Sequence, residues 1–143
     1  MCSSDLKTSK LHFMDAGLLA GLRGHSVARM RADRHLFGSL LETFVFSELL
    51  KMSSWSDERV AMFHYRDRDD FEVDFVLENT AGKVVGIEVK AAASITRRDF
   101  GGLERLASAA KTSFVQGILL YNGAQTLPFG EKLKAIPIAA LWA

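Results

Sequence analysis

Cysteine, proline and net charge are all scarce in this sequence. The scarcity of cysteine and the low net charge each exclude a class of protein. One cysteine, Cys2, among 143 residues excludes an internal disulfide and a zinc site built from cysteines. No apolar run is long enough to cross a bilayer, and the polar start of the chain lacks the apolar core of a signal peptide. We therefore expect no membrane span and a reducing, cytoplasmic setting.

The net charge is +1, so the whole chain is not a polycation that would coat nucleic acid indiscriminately. Nucleic-acid binding would have to come from local arginine clusters, although most clusters of this size are simply solvated surface. The clusters are Arg23, Arg29, Arg31 and Arg34 near the start, Arg66 and Arg68 in a turn, and Arg97 with Arg98.

Hydrophobic periodicity predicts an α/β protein. A long, largely buried helix comes first, followed by three strands, a second helix and a fourth strand. This order indicates an α/β sandwich around a mixed central sheet that spans residues 34–143, with residues 1–33 packed on it as a short helix and an Arg-rich loop. The predicted elements are a short helix capped by Asp15 and ending at Leu22, a loop from His25 to Asp33, helices at Arg34–Lys51 and Thr96–Lys111, strands at Val60–Tyr65, Phe71–Leu77, Lys83–Lys90 and Phe114–Tyr121, and an extended segment at Ala135–Ile138, in which Pro137 favours a sheet edge.

The second and third strands are expected to form a hairpin, and its turn decides which side chains meet. A three-residue loop that ends with Gly82 in the left-handed conformation is a favoured hairpin type. This register puts Asp74 across from Glu88 and Glu72 across from Lys90, whereas a four-residue loop would put the acidic faces on opposite sides of the sheet. In the second strand, alternation predicts one face with Phe71, Val73, Phe75 and Leu77 and the opposite face with Glu72 and Asp74. In the third strand, it predicts one face with Val85, Ile87 and Val89 and the opposite face with Gly86, Glu88 and Lys90.

Two carboxylates opposed on a sheet repel each other by roughly 0.2–1 kcal/mol, and a bound Mg²⁺ turns that repulsion into attraction. Mg²⁺ prefers a few carboxylate oxygens and keeps several waters. Lys90 points to the same face as Glu88 and can position an attacking water or stabilise developing phosphate charge. Two acids and a lysine around a metal ion are what phosphodiester hydrolysis needs, so Asp74, Glu88 and Lys90 are candidate site residues.

The residues alone leave two alternatives open. Asp74 and Glu88 can instead lie on a solvent-facing sheet surface, with an ordinary ion pair between the neighbouring Glu72 and Lys90. The long helix offers a further acid, and both Glu42 and Glu48 lie among apolar neighbours there. Buried carboxylates need a partner or a metal, but this argument does not choose between the two glutamates.

The order of these motifs resembles the PD-(D/E)XK superfamily of restriction-endonuclease-like nucleases. More specifically, most of the chain from residue 10 onward is similar to an uncharacterised domain found C-terminal to AAA-type P-loop ATPases of bacteria and archaea. The resemblance is carried by Lys10-Leu-His-Phe-Met-Asp-Ala-Gly-Leu-Leu19, Gly38-Ser-Leu-Leu-Glu-Thr-Phe-Val45, His64-Tyr-Arg-Asp-Arg-Asp69, Glu72-Val-Asp-Phe-Val-Leu77, Gly86-Ile-Glu-Val-Lys90, Ile136-Pro-Ile138 and Leu141-Trp142.

The resemblance implies a restriction-endonuclease-like α-β-β-β-α-β fold for residues 34–143, in which Asp74, Glu88 and Lys90 match the nuclease core. It implies Glu42, rather than Glu48, as the helical acid and third metal ligand. It also implies an ATPase module upstream, so we expect this chain to be the C-terminal piece of a larger protein. Val73 departs from the superfamily pattern, since proline is expected before the aspartate.

Two functions follow as hypotheses. The first is a domain that depends on Mg²⁺ or Mn²⁺ and hydrolyses DNA, with Arg97 and Arg98 holding phosphates just past the strand that carries Lys90. The second is a catalytically silent module that binds nucleic acid or a partner and regulates an associated AAA-type ATPase. A homo-oligomer is also kept open because the C-terminal tail is apolar and contains Leu141 and Trp142.

Overall fold

A mixed sheet of six strands forms the middle of the molecule, in the order β1-β2-β3-β4-β6-β5. The computed structural model describes residue 10 and residues 12–142, so Cys2 lies outside the described residues. Strand β2 runs antiparallel to its neighbours β1 and β3, while β3, β4 and β6 are parallel. The predicted α/β class with a mixed sheet is therefore confirmed. The strands are β1 Val60–Arg66, β2 Glu72–Asn79, β3 Val84–Lys90, β4 Phe114–Tyr121, β5 Leu127–Pro128 and β6 Leu133–Pro137.

Two short helices precede the long one, and the second of them was not predicted. Asp15 caps α1 by accepting a hydrogen bond from the Leu18 N–H, as expected. The predicted loop from His25 to Asp33 is wrong in its middle part, because it contains a helix that is capped by the Ser26 hydroxyl. The residues of this helix are all at least partly exposed, so the arginine-rich segment has no buried apolar face from which a helix could be predicted. The α-helices are α1 Ala16–Leu22, α2 Val27–Ala32, α3 Arg34–Trp55 and α4 Gly101–Ala110, with 3₁₀ turns at Arg97–Phe100, Lys111–Ser113 and Ile138–Trp142.

The sheet has a buried core on each face. Helix α3 covers one face, where Val45 and Leu49 pack against Phe75 and Ile87. Helix α4 covers the other face and contributes Leu103 and Leu106 to the second core. The sequence predicted both helices, although α3 continues four residues beyond Lys51.

The turn between β2 and β3 is the predicted one. Residues Thr80 to Gly82 form a three-residue loop closed by a hydrogen bond from the Asn79 N–H to the Lys83 carbonyl. Gly82 has φ +70°, the left-handed conformation that this hairpin type requires. The predicted register is therefore confirmed as far as Phe75↔Ile87, the last backbone pair before Asp74 and Glu88.

A β-bulge in β2 overturns the expected alternation of side chains. The pairing of β1 with β2 shifts between Phe63 and Tyr65, so that His64 opposes two residues, Asp74 and Phe75. The extra residue reverses the alternation from that point on. Two residues of β2 that were predicted to share a face consequently lie in different cores, Val73 on the α4 side and Phe75 on the α3 side.

The last long strand lies inside the sheet, although its proline favours an edge. Strand β6 has β4 on one side and β5 on the other. Strand β5 pairs only through Leu127 and Pro128, opposite Ala135 and Lys134, and does not reach Pro137. The prediction of an edge was thus wrong for the strand as a whole. Pro137 itself ends β6 beyond the reach of β5, so its missing N–H removes no hydrogen bond to that strand.

No helix within residues 12–142 combines the length and the apolar character that a membrane crossing requires.

Gly102, in the first turn of α4, is packed so closely on β2 that a side chain has no room. A Cβ atom at this position would lie 1.9 Å from the backbone oxygen of Glu72, which cannot rotate away. We expect Gly102→Ala to lower the free energy of unfolding by about 1–3 kcal/mol or more, as overpacking does, in urea denaturation monitored by circular dichroism.

Gly21→Ala is the matched control, because Gly21 also lies in a helix and a Cβ there meets no atom within 4 Å. Alanine should leave stability unchanged there or raise it by up to about 1 kcal/mol. Equal stability of the two variants would contradict the close approach of α4 to β2.

Candidate functional site

Asp74 is built into the sheet at the point where the backbone pairing between β2 and β3 ends. Beyond the last pair, Phe75↔Ile87, the Val89 N–H donates to Asp74 Oδ2 at 2.9 Å. A carboxylate oxygen thus takes a position that a strand carbonyl occupies in a continuous ladder. Only 11% of the Asp74 side chain is exposed, so the solvent-facing alternative does not hold for this residue.

Glu88 lies across from Asp74 and is also largely buried. Burial, followed by the negative charge of Asp74, raises the pKa of Glu88 to about 8, although a hydrogen bond from the Asp74 backbone lowers it in part. Its Oε2 atom is buried and accepts no hydrogen bond from the described residues. A carboxyl oxygen without a partner is costly in the protein interior, so this atom is suited to a ligand.

Glu42 joins the two strand carboxylates from helix α3, and a lysine connects it to Asp74. Lys10 Nζ lies 2.5 Å from Glu42 Oε1 and 2.8 Å from Asp74 Oδ1. Burial and the charge of Asp74 raise the pKa of Glu42, while Lys10 lowers it in part. Burial lowers the pKa of Lys10, and the charges and hydrogen bonds of Asp74 and Glu42 more than offset this, so that Lys10 stays protonated.

His12 closes the apolar side of this cluster. Its ring stacks on Phe46 with centroids 4.7 Å apart and lies 5.7 Å from the ring of Phe75. Burial, followed by the nearby charge of Lys10, lowers the pKa of His12. The imidazole therefore packs among aromatic rings beside the carboxylates.

Lys90 does not contact the carboxylates in this structure. Its Nζ atom lies 2.6 Å from Asp99 Oδ1, in the 3₁₀ turn that leads into α4. Asp99 is held in turn by the N–H and hydroxyl of Thr96, so that the lysine is tied to a capped turn. The alternative of an ion pair between Glu72 and Lys90 does not hold, because Glu72 binds Arg66 at 2.8 Å and Lys90 binds Asp99.

Glu48 lies apart from the cluster and makes its own contacts. It binds Lys51 at 2.6 Å and accepts a hydrogen bond from the Trp142 indole N–H at 3.1 Å. Of the two glutamates that the residues left open, Glu42 and not Glu48 shares a lysine with Asp74. Trp142 also packs on Phe44 with ring centroids 5.4 Å apart, so the apolar end of the described chain covers its own helix.

Arg97 and Arg98, the two arginines predicted to contact phosphate, differ in their surroundings. Arg97 binds Glu104 and donates to the Phe129 carbonyl at 3.0 Å, which leaves its guanidinium largely occupied. Arg98 is exposed and makes no ion pair with another described residue. Phosphate binding by either arginine stays a prediction.

The donor set agrees with Mg²⁺ chemistry, since it consists of carboxylate oxygens and includes the unpartnered Oε2 of Glu88. Within residues 12–142 and at residue 10, no group of three or more His, Cys, Asp or Glu side chains is arranged to hold a metal ion. Mg²⁺ keeps most of its waters and needs only one or two carboxylates, so the residue types at positions 74 and 88 are compatible with it. Metal binding by Asp74, Glu88 and Glu42 stays a prediction.

Residues 37–141 match a family model described as a domain of unknown function, DUF4143. The chain belongs to this family. Membership confirms the coarser part of the resemblance, an uncharacterised domain, and leaves the PD-(D/E)XK relationship a prediction. The match contains Glu42, Asp74, Glu88 and Lys90, while Lys10 lies outside it.

One chain in the solved assembly of Thermococcus gammatolerans McrB AAA+ hexamers with bound McrC is similar to this DUF4143 protein, with 13% identity and a TM-score of 0.45. The similarity covers 70% of the present chain and 27% of that chain, so the protein spans about a quarter of its length. The comparison with curated proteins gives no match.

Lys10 is the functional candidate that sequence reasoning missed. It begins the first of the segments on which the resemblance depends, but nothing in its neighbours along the chain indicates a role. Its partners are 32 and 64 residues away, at Glu42 and Asp74. A contact over such a distance in sequence arises only when the residues before α1 pack across α3.

The raised pKa of Glu88 predicts how stability depends on pH. Its folded pKa of about 8 exceeds the ordinary value of 4.5, so the folded state binds more protons between these values and stability falls as pH rises through that window. A tenfold change in an acid dissociation constant corresponds to about 1.4 kcal/mol, so the loss is large enough to measure. Glu88→Gln removes this titration, so its Tm should fall less than that of the wild type between pH 5 and pH 8.

Glu104→Gln serves as control, because Glu104 is an exposed partner of Arg97. Its Tm should follow the wild-type pH dependence, since an exposed ion pair contributes little. Parallel Tm curves for the wild type and Glu88→Gln would show that Glu88 is not buried beside Asp74.

Proposed function

We propose that this DUF4143 chain is a nuclease-like domain that depends on Mg²⁺ or Mn²⁺ and hydrolyses phosphodiester bonds in DNA. The observation that carries the proposal is the pair formed by Asp74, which replaces a ladder hydrogen bond, and Glu88, whose Oε2 atom is buried without a partner among the described residues. Two neighbouring buried carboxylates weaken a fold unless a cation compensates them. Their retention at the end of a strand pair favours a cation-binding role.

The order of elements also supports the proposal. From α3 to β4 the chain runs helix, three strands, helix, strand, which is the order that the restriction-endonuclease-like resemblance implies. Helices α3 and α4 cover opposite faces of the sheet, and the carboxylates come from α3, β2 and β3. This order and the placement of the carboxylates support the proposed PD-(D/E)XK relationship.

Asp74 and Glu88 would hold the metal, with Glu42 as the additional acid. When bound, a divalent cation supplies Lewis-acid stabilisation of a phosphoryl oxygen and an activated water. Lys90 would orient that water or stabilise the developing charge after release from Asp99, to which it is bound at 2.6 Å. Arg98, exposed beside Asp99, would contact the DNA backbone.

A catalytically silent module is the second candidate, and one observation favours it. Lys90 is bound to Asp99, and Arg97 is bound to Glu104 and the Phe129 carbonyl, so two residues assigned to DNA chemistry are engaged within the chain. Such a module would bind nucleic acid or a protein partner and regulate an AAA-type ATPase that is either joined to this chain or separate. A homo-oligomer stays compatible with both candidates.

The two candidates differ in what happens when Asp74 becomes asparagine. In a cleavage assay with labelled double-stranded and single-stranded DNA and RNA plus Mg²⁺ or Mn²⁺, the nuclease proposal predicts product from the wild type. Asp74→Asn and Lys90→Ala should lower the rate by about 10²-fold or more, the scale on which removing one electrostatic stabiliser acts. The silent module predicts no product, with DNA binding and ATPase stimulation the same in wild type and Asp74→Asn.

Glu78→Gln is a suitable control, because Glu78 lies on β2 at the turn end of the same hairpin, opposite Val84. It should cleave like the wild type. Cleavage by Lys90→Ala at the wild-type rate would refute the role of Lys90, and metal-dependent cleavage that survives in Asp74→Asn would point to a contaminating nuclease.

A further inference from the structure

Lys10 is the one lysine or arginine of the described residues that directly contacts the cluster formed by Glu42, Asp74 and Glu88, and His12 Nε2 lies 3.7 Å from Glu42 Oε1 beside it. Its ammonium lies 2.5 Å from Glu42 Oε1 and 2.8 Å from Asp74 Oδ1, so it links an acid of α3 with an acid of β2. The side chain is 30% exposed, and its partners are 22% and 11% exposed. The contact is therefore partly withdrawn from water, where a charge pair is stronger than at an open surface.

An ammonium in this position has the electrostatic effect that a metal ion would have. Asp74 and Glu42 each raise the pKa of Glu88, while Lys10 lowers it. Lysine carries a compact charge with three donors, which suits it to bridge two carboxylates. A divalent cation on the same Asp74 oxygen, at about 2.0–2.1 Å for Mg²⁺, would be repelled by an ammonium this close, so the two cations compete for the carboxylates.

Lys10 is not alone in holding the start of the described chain on α3 and β2. His12 stacks on Phe46 of α3 and contacts Phe75 of β2, so an aromatic contact holds the chain two residues beyond the lysine. The lysine side chain has a flexible four-carbon stem. Its ammonium can leave the carboxylates by rotation about that stem while His12 stays in place.

We propose that Lys10 is the resident cation of this carboxylate cluster and that a divalent cation binds by displacing its ammonium. The site then has two exclusive states, one with Lys10 bound and one with metal bound. The inference rests on the proposed function, because it requires that the carboxylates bind a metal ion. It adds a regulatory element that lies ahead of α1 and outside the matched family range.

Titration of the whole chain with Mn²⁺ in a calorimeter, with Tm measured with and without Mn²⁺, tests the competition. Lys10→Met removes the charge and keeps a chain of similar length. Without metal its Tm should fall below that of the wild type, because Glu42 and Asp74 lose their counter-ion. Its Kd for Mn²⁺ should be about tenfold lower than the wild-type value, and saturating Mn²⁺ should raise its Tm more than that of the wild type.

Lys51→Met is the matched control, since Lys51 binds a single carboxylate, Glu48, on the same helix. It should keep the wild-type Kd for Mn²⁺. If Lys10→Met does not fold, the double variant Lys10→Met/Glu42→Gln, which leaves one carboxylate fewer to compensate, is compared with Glu42→Gln alone. Tighter Mn²⁺ binding by the double variant supports the inference.

The outcomes separate the inference from the proposed function. Equal Mn²⁺ affinity in wild type and Lys10→Met overturns the competition and leaves the metal site standing. Weaker binding by Lys10→Met also overturns it, because the lysine would then assist the metal. If no variant binds Mn²⁺ at millimolar concentrations, the metal site of the proposed function fails, and the competition fails with it.

Discussion

The site depends on one constraint, which is the placement of the Asp74 carboxylate within a β-sheet. The side chain accepts the Val89 N–H and binds Lys10, so a charged group performs a task that the backbone performs elsewhere in the sheet. This arrangement needs the bulge opposite His64, because regular alternation would put Asp74 and Phe75 on different faces. Phe75 belongs to the core beneath α3, and its neighbour Asp74 is linked through Lys10 to Glu42 of that same helix.

Burial of this carboxylate determines the electrostatics of its neighbours. Glu88 and Glu42 have raised pKa values because each is partly removed from water and each experiences the charge of Asp74. A fold that gathers acids in this way is stabilised by any cation that reaches them. In the present structure that cation is Lys10, while Lys90 binds Asp99 at the other side of the hairpin end.

The lysine that contacts the carboxylates is therefore not the one that the sequence motif contains. Lys10 contacts Asp74, whereas Lys90 of the motif binds Asp99. Asp74 on β2 and Glu88 and Lys90 on β3 form the sequence pattern from which phosphodiester hydrolysis is predicted. Lys90 lies close to Glu88 along β3 but does not contact the carboxylates. It binds Asp99 instead, an acid held by Thr96 in the turn just before α4. Membership of DUF4143 agrees with a shared fold and leaves the chemistry to experiment.

The sequence by itself determined those features that depend on local patterns. Apolar spacing placed α3 and α4, alternation and turn residues placed β1 to β4, and Gly82 set the register that aligns Asp74 with Glu88. It missed α2, whose arginines hide its helical character, and it missed the bulge, which has no signature in the residues around Asp74. Tertiary structure alone chose Glu42 over Glu48, bound Lys90 to Asp99 and brought Lys10 to Asp74. These contacts join residues from separate elements, and their energies depend on burial and charge that exist only once the elements have packed.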